Sequence, residues 1–286
     1  MIEFKKIYEM FAHHYLNRKK VTHLNNVEHG KKMLILATGN SARSFWEDKA
    51  FRDRFADYDI LIMNRSIYKM KELVHELKPK YFAMCDPIYW GEKTSVSLPD
   101  SVRDETYEKM REMLESVDWK CYLLTTIHEH FDFSNQFIEI LRMNATEVNE
   151  YEKLDYILYR GNFANPGMRN VGQLAIYSGI TLGYKHIALL GMDFDFIKNI
   201  HCDENCVLWD FADHQYDVDE NAKIITYLEK KDKGSINGSA LAKYFYEYYR
   251  TMSIFGKLRM YAEEQKCDIV NYSMDSMLDC YRKVRI

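Results

Sequence analysis

Four short apolar runs in this chain each end in a glycine, an asparagine or an aspartate. They are "MLILATGN", "ILIMNRS", "YFAMCDP" and "IALLGMD", spread between Met33 and Asp193. Each reads as a buried strand, and stretches of helical periodicity lie between them. "SARSFWEDKAFRDRF" follows the first run, with Asn40 or Ser41 available as its N-cap. "SIYKMKELVHELKP" follows the second and is stopped by Pro79. Glu105 to Val117 is helical, "KCYLLTT" is a further strand, and Met168 to Thr181 is an apolar helix leading into "KHIALLGMD". Strands alternating with helices restrict the chain to an α/β architecture, a doubly wound and mostly parallel Rossmann-like sheet.

The rest of the chain fits around that core. Ile2 to Leu16 carries apolar residues at helical spacing and forms an N-terminal extension over residues 1–30. A single domain spans 31–286. Within it, Ile197 to Ser239 is polar and without sustained period, and reads as a lid inserted after the "GMDFDF" strand. Leu241 to Glu264 is a long helix whose stripe of Tyr244, Phe245, Tyr248, Tyr249 and Met252 is read as core packing. "CDIVNYS" is a last strand and "MDSMLDCYRKV" a last helix, giving a helical C-terminal region.

Composition excludes several function classes. A net charge of -4 over 286 residues is opposed to nucleic-acid binding, which calls for a basic excess. No run approaches the ~18 apolar residues of a membrane span. The charged start "MIEFKKIYEMF" lacks a secretory signal. Cys85, Cys121, Cys202, Cys206, Cys267 and Cys280 are widely spread and are expected to be reduced thiols of a cytoplasmic protein.

In an open parallel sheet, ligands bind in the crevice beyond the carboxyl ends of the strands. Gly39-Asn40, Asn64, Asp86, and Gly191 with Asp193 end four strands and are expected at one edge. Gly39 lets backbone approach a ligand closely, and the helix start at Ser41 offers N–H donors to a phosphate. "NPGMRNVGQ" repeats that arrangement around Asn170 and Gly172; close helix packing is an equal explanation for Gly172. Asp193 and Asp195 form a D-x-D pair, compatible with a divalent metal if a strand-like Phe194 puts both on one side. "HCDENC" lacks the fourth ligand a zinc site needs, and a polar loop explains it better. His214, beside Asp213, has the surroundings of a general base.

Taken in order, "TGNS", "MNRS", "CDP", "NVGQLAIYSGITLGYKHIALLGMDFDF", "DHQYD" and "KLRMYAEEQKCDIVNYSMDSMLD" resemble two related bacterial groups. One comprises proteins of surface-polysaccharide gene clusters similar to the pterin diphosphokinases. The other comprises lipooligosaccharide sialyltransferases that use CMP-sialic acid. The resemblance covers roughly residues 31 to 285 and is most specific from Asn170 to Asp193.

It implies a transferase that moves an acidic sugar (a sialic acid, a related nonulosonate or Kdo) from a CMP-activated donor to a glycan acceptor, in lipopolysaccharide or capsule synthesis. By resemblance, Gly39, Asn40, Ser41, Asn64, Asn170 and Gly172 lie against the donor. Asp86 stands where an asparagine lies near the sugar. Gly191, Met192, Asp193 and Phe194 hold cytidine and ribose, and His214 is the base. Arg169 falls one position from the family's arginine, Asp195 replaces a phosphate-holding tyrosine, and "GNGPS" is here "GNSAR". No metal or other cofactor is required in that scheme. A diphosphokinase would instead need Mg²⁺ at Asp193 and Asp195, and a binding module without catalysis is a third reading. The expected location is the cytoplasm, with the inner membrane face and a homo-oligomer left open.

Overall fold

The computed structural model of the chain describes residues 30–92, 100–149, 152–205, 208–211, 225–228 and 239–286, with 15–16, 20–22, 24 and 28 of the N-terminal segment. The expected N-terminal helix therefore falls almost wholly outside the described residues; Tyr15 and Leu16 are helical. The main sheet has eight strands: β1 (Lys32–Leu36), β2 (Asp59–Met63), β3 (Tyr81–Ala83), β4 (Cys121–Thr126), β5 (Ile138–Met143), β6 (His186–Leu190), β10 (Asp268–Asn271) and β11 (Arg282–Lys283). Their order is β5-β4-β3-β2-β1-β6-β10-β11. Every pairing in it is parallel. The α/β, doubly wound class expected from the alternating pattern is the class of the fold.

Parallel strands are covered on both faces, and β1 shows how its sequence meets that demand. Met33 and Ile35 enter one core with the helix α7 (Val171–Leu182). Leu34 and Leu36 enter the other, with Phe45 and Trp46 of α1 (Arg43–Glu47) and Met110, Met113 and Leu114 of α5 (Asp100–Glu115). The sequence of α7 has no charged residue, and all twelve of its residues are buried. It lies between the sheet and α8 (Ala240–Glu264), which covers it from outside. Short helices α2 (Lys49–Arg52), α3 (Ser66–Lys69) and α4 (Lys71–Leu77) complete the connections between β1 and β3. Lys78, in the left-handed region at φ 46°, ends α4 one residue before Pro79.

Three features depart from the sequence reading. First, β5 and α6 (Glu152–Arg160) occupy a stretch left without elements. Second, described parts of the polar segment after β6 form a three-stranded antiparallel sheet of β7 (His201–Cys202), β8 (Leu208–Phe211) and β9 (Ile225–Leu228). Third, "MDSMLDCYRKV" is not a helix. Ser276 Oγ donates to the carbonyl of Met192 at 2.7 Å, and Met277 N to that of Asp193 at 2.7 Å. The chain then adds β11 beside β10, with Val284 N donating to Asn271 O at 3.1 Å. Carbonyls left open past β6 draw this segment into tertiary hydrogen bonds at the expense of its helical period.

Among the described residues no helix is long and apolar enough to cross a membrane. Cys85, Cys121, Cys202, Cys267 and Cys280 are free thiols. Burial pushes Cys85, Cys121 and Cys267 up to about 12, so none of the three is a nucleophile at neutral pH.

Candidate functional site

After β1 the chain builds outward through β2 to β5, then returns so that β6 pairs with the other side of β1. Successive connections therefore diverge between β1 and β6, the switch point where an α/β sheet opens a crevice. A cleft of about 510 Å³ lies there. Its floor is Ala37 to Gly39 beyond β1, Met63 and Asn64 at the end of β2, and Gly191 to Phe196 beyond β6. One wall is the start of α7 with Arg169, and the other is the half-buried face of α8 formed by Tyr244, Glu247, Tyr248 and Thr251.

The "GMDFDF" stretch fastens this floor together. Gly191 adopts φ +77°, and a Cβ on it would lie 2.7 Å from the carbonyl oxygen of Ala37. Gly39 N donates to Gly191 O at 2.9 Å, and a Cβ on Gly39 would stand 2.5 Å from Asp193 Oδ2. What approaches these glycines is the neighbouring strand end. Asp193 takes the Ser41 amide on Oδ2 at 3.0 Å and the Ser41 hydroxyl on Oδ1. The amide that the sequence offered to a phosphate thus already holds a carboxylate of the chain. Ser41 and Ser273 share a hydroxyl contact of 2.7 Å, and Gly191 N donates to Ser273 Oγ at 3.0 Å.

Phe194 is not strand-like. Its φ is +51°, and its ring packs edge-on against Phe255 with centroids 4.8 Å apart. The two aspartates accordingly part company: Asp193 turns down to Ser41, while Asp195 lies 3.6 Å from Lys198. Among the described residues no group of three His, Cys, Asp or Glu side chains is placed to hold a metal ion. Phe196 and Tyr248 extend the aromatic wall, with Tyr248 Oη donating to the carbonyl of Phe194 at 3.3 Å. Burial, with the charges of Asp279 and Asp195, raises the Tyr248 pKa.

Asn64 and Arg169 stand in the cleft outside this framework. Asn64 adopts φ +51° at the end of β2, and its side-chain carbonyl oxygen is buried without a hydrogen-bond partner. Arg169, whose side chain is 27% exposed, stands 3.6 Å from Glu247. At the head of α7, Asn170 Oδ1 accepts from Gln173 N at 3.0 Å. The amides of Val171 and Gly172 belong to the first turn, which a helix cannot pair internally, and both residues line the cleft.

Gly39, Asn64, Asn170, Gly172, Gly191, Met192, Asp193 and Phe194 thus meet in one place. Ser41 lies behind them, bound to Asp193; Asn40 sits in the same turn, and neither lines the cleft. Asp86 lies three residues past β3, farther along the edge, where its side chain caps a short turn by accepting from Ile88 N at 3.2 Å. Gly172 lines the cleft and also packs closely, since a Cβ there would lie 2.6 Å from the Met192 methyl. His214 and Cys206 lie outside the described residues. His201 stacks on Trp209 with ring centroids 4.2 Å apart.

The α8 wall escaped the sequence reading. Tyr244, Glu247, Tyr248 and Thr251 follow the i, i+3, i+4, i+7 spacing of one helix face, and that face borders the cleft. The core-packing expectation fails in this half of the helix, where Phe245 and Tyr249 are exposed. It holds at Met252, which packs half-buried against the core, and the helix residues beyond it that are buried are Ile254, Phe255, Leu258 and Tyr261.

No known family model and no curated protein matches the chain. Among solved structures it is similar to a MAf glycosyltransferase from Magnetospirillum magneticum AMB-1, at 10% identity and a TM-score of 0.49. That match covers 92% of this chain and 35% of the other, so the chain spans about a third of that protein's length.

Proposed function

We propose that the protein is a glycosyltransferase that moves an acidic sugar (a sialic acid, a related nonulosonate or Kdo) from a CMP-activated donor to a surface-glycan acceptor. The observation that carries this reading is convergence. Segments whose sequences resemble the donor-holding parts of CMP-sugar transferases, at Gly39, Asn64, Asn170 and Gly191 to Phe194, line one cleft at the switch point of the sheet. Asn64 supplies an acceptor for a donor N–H or O–H. The first turn of α7 faces the phosphate with its amides.

In the reaction the bond from the anomeric carbon to the phosphate oxygen breaks, and its electron pair leaves with CMP. The acceptor hydroxyl oxygen bonds to the anomeric carbon, and its proton passes to His214, the base assigned by resemblance. The sugar's own carboxylate offsets the oxocarbenium-like charge. Amides and hydroxyls around the leaving phosphate stabilise it in place of water. A diphosphokinase would recruit Asp193 and Asp195 to Mg²⁺. Both line the cleft, but both oxygens of Asp193 are engaged by Ser41.

Thermal unfolding with CMP, CDP, UDP, GDP and ATP, each with and without Mg²⁺, tests the assignment. CMP and CDP are expected to stabilise, by about 2.7 kcal/mol at 100 times Kd. Stabilisation by ATP-Mg²⁺ with none by CMP moves the assignment to the diphosphokinase. His214→Ala is expected to lower kcat by roughly 10²- to 10⁴-fold with nucleotide binding unchanged. EDTA is expected to leave turnover intact, and activity lost to EDTA and restored by Mg²⁺ would overturn the metal-free scheme.

A further inference from the structure

Arg169 is the one cation among the described residues that line the cleft, against the carboxylates of Asp193, Asp195 and Glu247. Its backbone is fixed from two sides. Arg169 N donates to Gln173 Oε1 at 2.7 Å, and Gln173 Nε2 donates to the carbonyl of Thr251 on α8 at 2.9 Å. Gln173 is fully buried, so this bridge sets the separation of the Arg169 loop from α8. Asn165 braces the same loop, accepting from Gly167 N at 2.7 Å and Met168 N at 3.0 Å. Glu247 stands one turn before Thr251, on the same helix face. Its placement opposite Arg169 is therefore imposed by backbone anchors.

The pair those anchors create is a poor one. Arg169 Nη1 and Glu247 Oε2 are 3.6 Å apart, beyond hydrogen-bond length, and the Glu247 side chain is 45% exposed. A guanidinium binds an anion best through two parallel N–H···O bonds, which this geometry does not provide. Glu247 also has a second cation, because its Oε1 lies 3.6 Å from Arg250 Nη1 one turn along α8. Releasing Arg169 does not strand it. We propose that Glu247 is an exchangeable placeholder, and that Arg169 is the anion-recognition residue of the cleft, surrendering Glu247 for the phosphate or carboxylate of an incoming ligand.

The inference relies on the proposed function only for the choice of probe. Its test is calorimetric titration of the full chain and of Glu247→Gln and Arg169→Met with CMP, cytidine, AMP and inorganic pyrophosphate. Glu247→Gln removes the competitor, so CMP should bind about three- to fivefold more tightly, the range a weak exposed ion pair allows, with cytidine unchanged. Arg169→Met should erase the preference for CMP over cytidine. A gain of affinity cannot come from misfolding, which keeps the test sound if Arg169→Met is damaged. CMP binding that is the same in both variants as in the parent overturns the placeholder and leaves the CMP reading standing. AMP or pyrophosphate binding that tightens in Glu247→Gln, with no CMP binding, upholds the placeholder and overturns the CMP reading. Failure of every anion to bind the parent and Glu247→Gln overturns both.

Discussion

The two ends of the parallel sheet treat polar residues in opposite ways. At the amino end, Lys80 Nζ sits 2.6 Å from Glu28 Oε1 and 2.9 Å from Asp59 Oδ2. Tyr184 Oη donates to the same Asp59 oxygen at 2.5 Å, and Lys31 Nζ reaches Glu28 Oε2 at 2.6 Å. Charges there are paired within the chain. At the carboxyl end the tightest pairing is in the framework of Ser41, Asp193 and Ser273, while Arg169–Glu247 and Asp195–Lys198 are looser contacts of 3.6 Å each. Asn64 and Arg169 are held in position with their bonding capacity largely open. One end closes the fold, and the other leaves Asn64 Oδ1 buried without a partner and Arg169 in a long ion pair. Preorganised and unsatisfied groups are what a binding site requires.

The largest effect is expected where the open end depends on a closed framework. Gly191→Ala forces a side chain onto a φ of +77° and places its Cβ 2.7 Å from the Ala37 carbonyl oxygen. Backbone strain and overpacking each cost roughly 1–3 kcal/mol, so a loss of about 3 kcal/mol is expected in urea unfolding, together with loss of ligand binding. An Ala variant as stable as the parent would show that the strand ends at β1 and β6 are not rigidly joined.

A double dissociation comes next. Lys80→Met leaves Glu28 and Asp59 without their shared cation. The expected loss is about 2 kcal/mol of stability, below the ~3–5 for a fully buried pair because the lysine side chain is 25% exposed. Nucleotide binding should be unchanged. Asn64→Gly removes an unpartnered carbonyl at a left-handed position that glycine adopts freely, so stability should move by less than about 1 kcal/mol. Nucleotide affinity should fall about tenfold, the loss of one polar contact. Equal effects of the two variants on stability would erase the distinction between the ends.

The fold was legible because its constraint is repeated: four apolar runs with polar endings leave little choice of architecture. The run "ILIMNRS" supplies four of the five residues of β2, Asp59–Met63, and its Asn64 follows directly. β5 was missed because the connection from β4 contains no helix to announce a parallel neighbour, only "IHEHFDFSNQF". The floor of the cleft was legible for the same reason as the strands, since it consists of their endings. Its walls were not. Arg169 and Glu247 are far apart in sequence and meet only through Gln173, a residue whose helical neighbours suggest packing alone. The role of Ser41 was hidden likewise, because its partner Asp193 lies in the loop beyond β6, far away in sequence.

Acid titration sharpens the comparison further. Burial opposes the charge of Glu28, but hydrogen bonds and attraction from Lys31 and Lys80 outweigh it and lower its pKa from 4.5. Such a carboxylate adds stability that is fully present above about pH 4.5. That contribution is lost as pH falls below 4.5 through the lowered folded value. Lys80→Met should therefore flatten this part of the stability profile, and a profile as steep as the parent's would place the acid-sensitive group elsewhere.

The smallest effect belongs to Asp86, whose shift has the opposite sign. Crowding by the surrounding protein raises its pKa from 3.8, against the Ile88 amide and the charge of Arg65. Its surface is nonetheless exposed, so solvent screens the shift and its weight in stability is small. For a carboxylate with a raised folded pKa, ionisation disfavours the native state. The penalty is absent at low pH and develops as pH rises from 3.8 through the folded value. Asp86→Asn keeps a side-chain oxygen to cap Ile88 N and removes the ionisation. Above that range the variant should match or slightly exceed the parent, by less than about 0.5 kcal/mol, the scale of substitutions at exposed sites. Carboxyl-carbon NMR titration should show Asp86 above, and Glu28 below, their free values. An Asp86 midpoint below 3.8 would mean that both ends of the sheet favour ionised carboxylates, and the contrast would then rest on Asn64 and Arg169 alone.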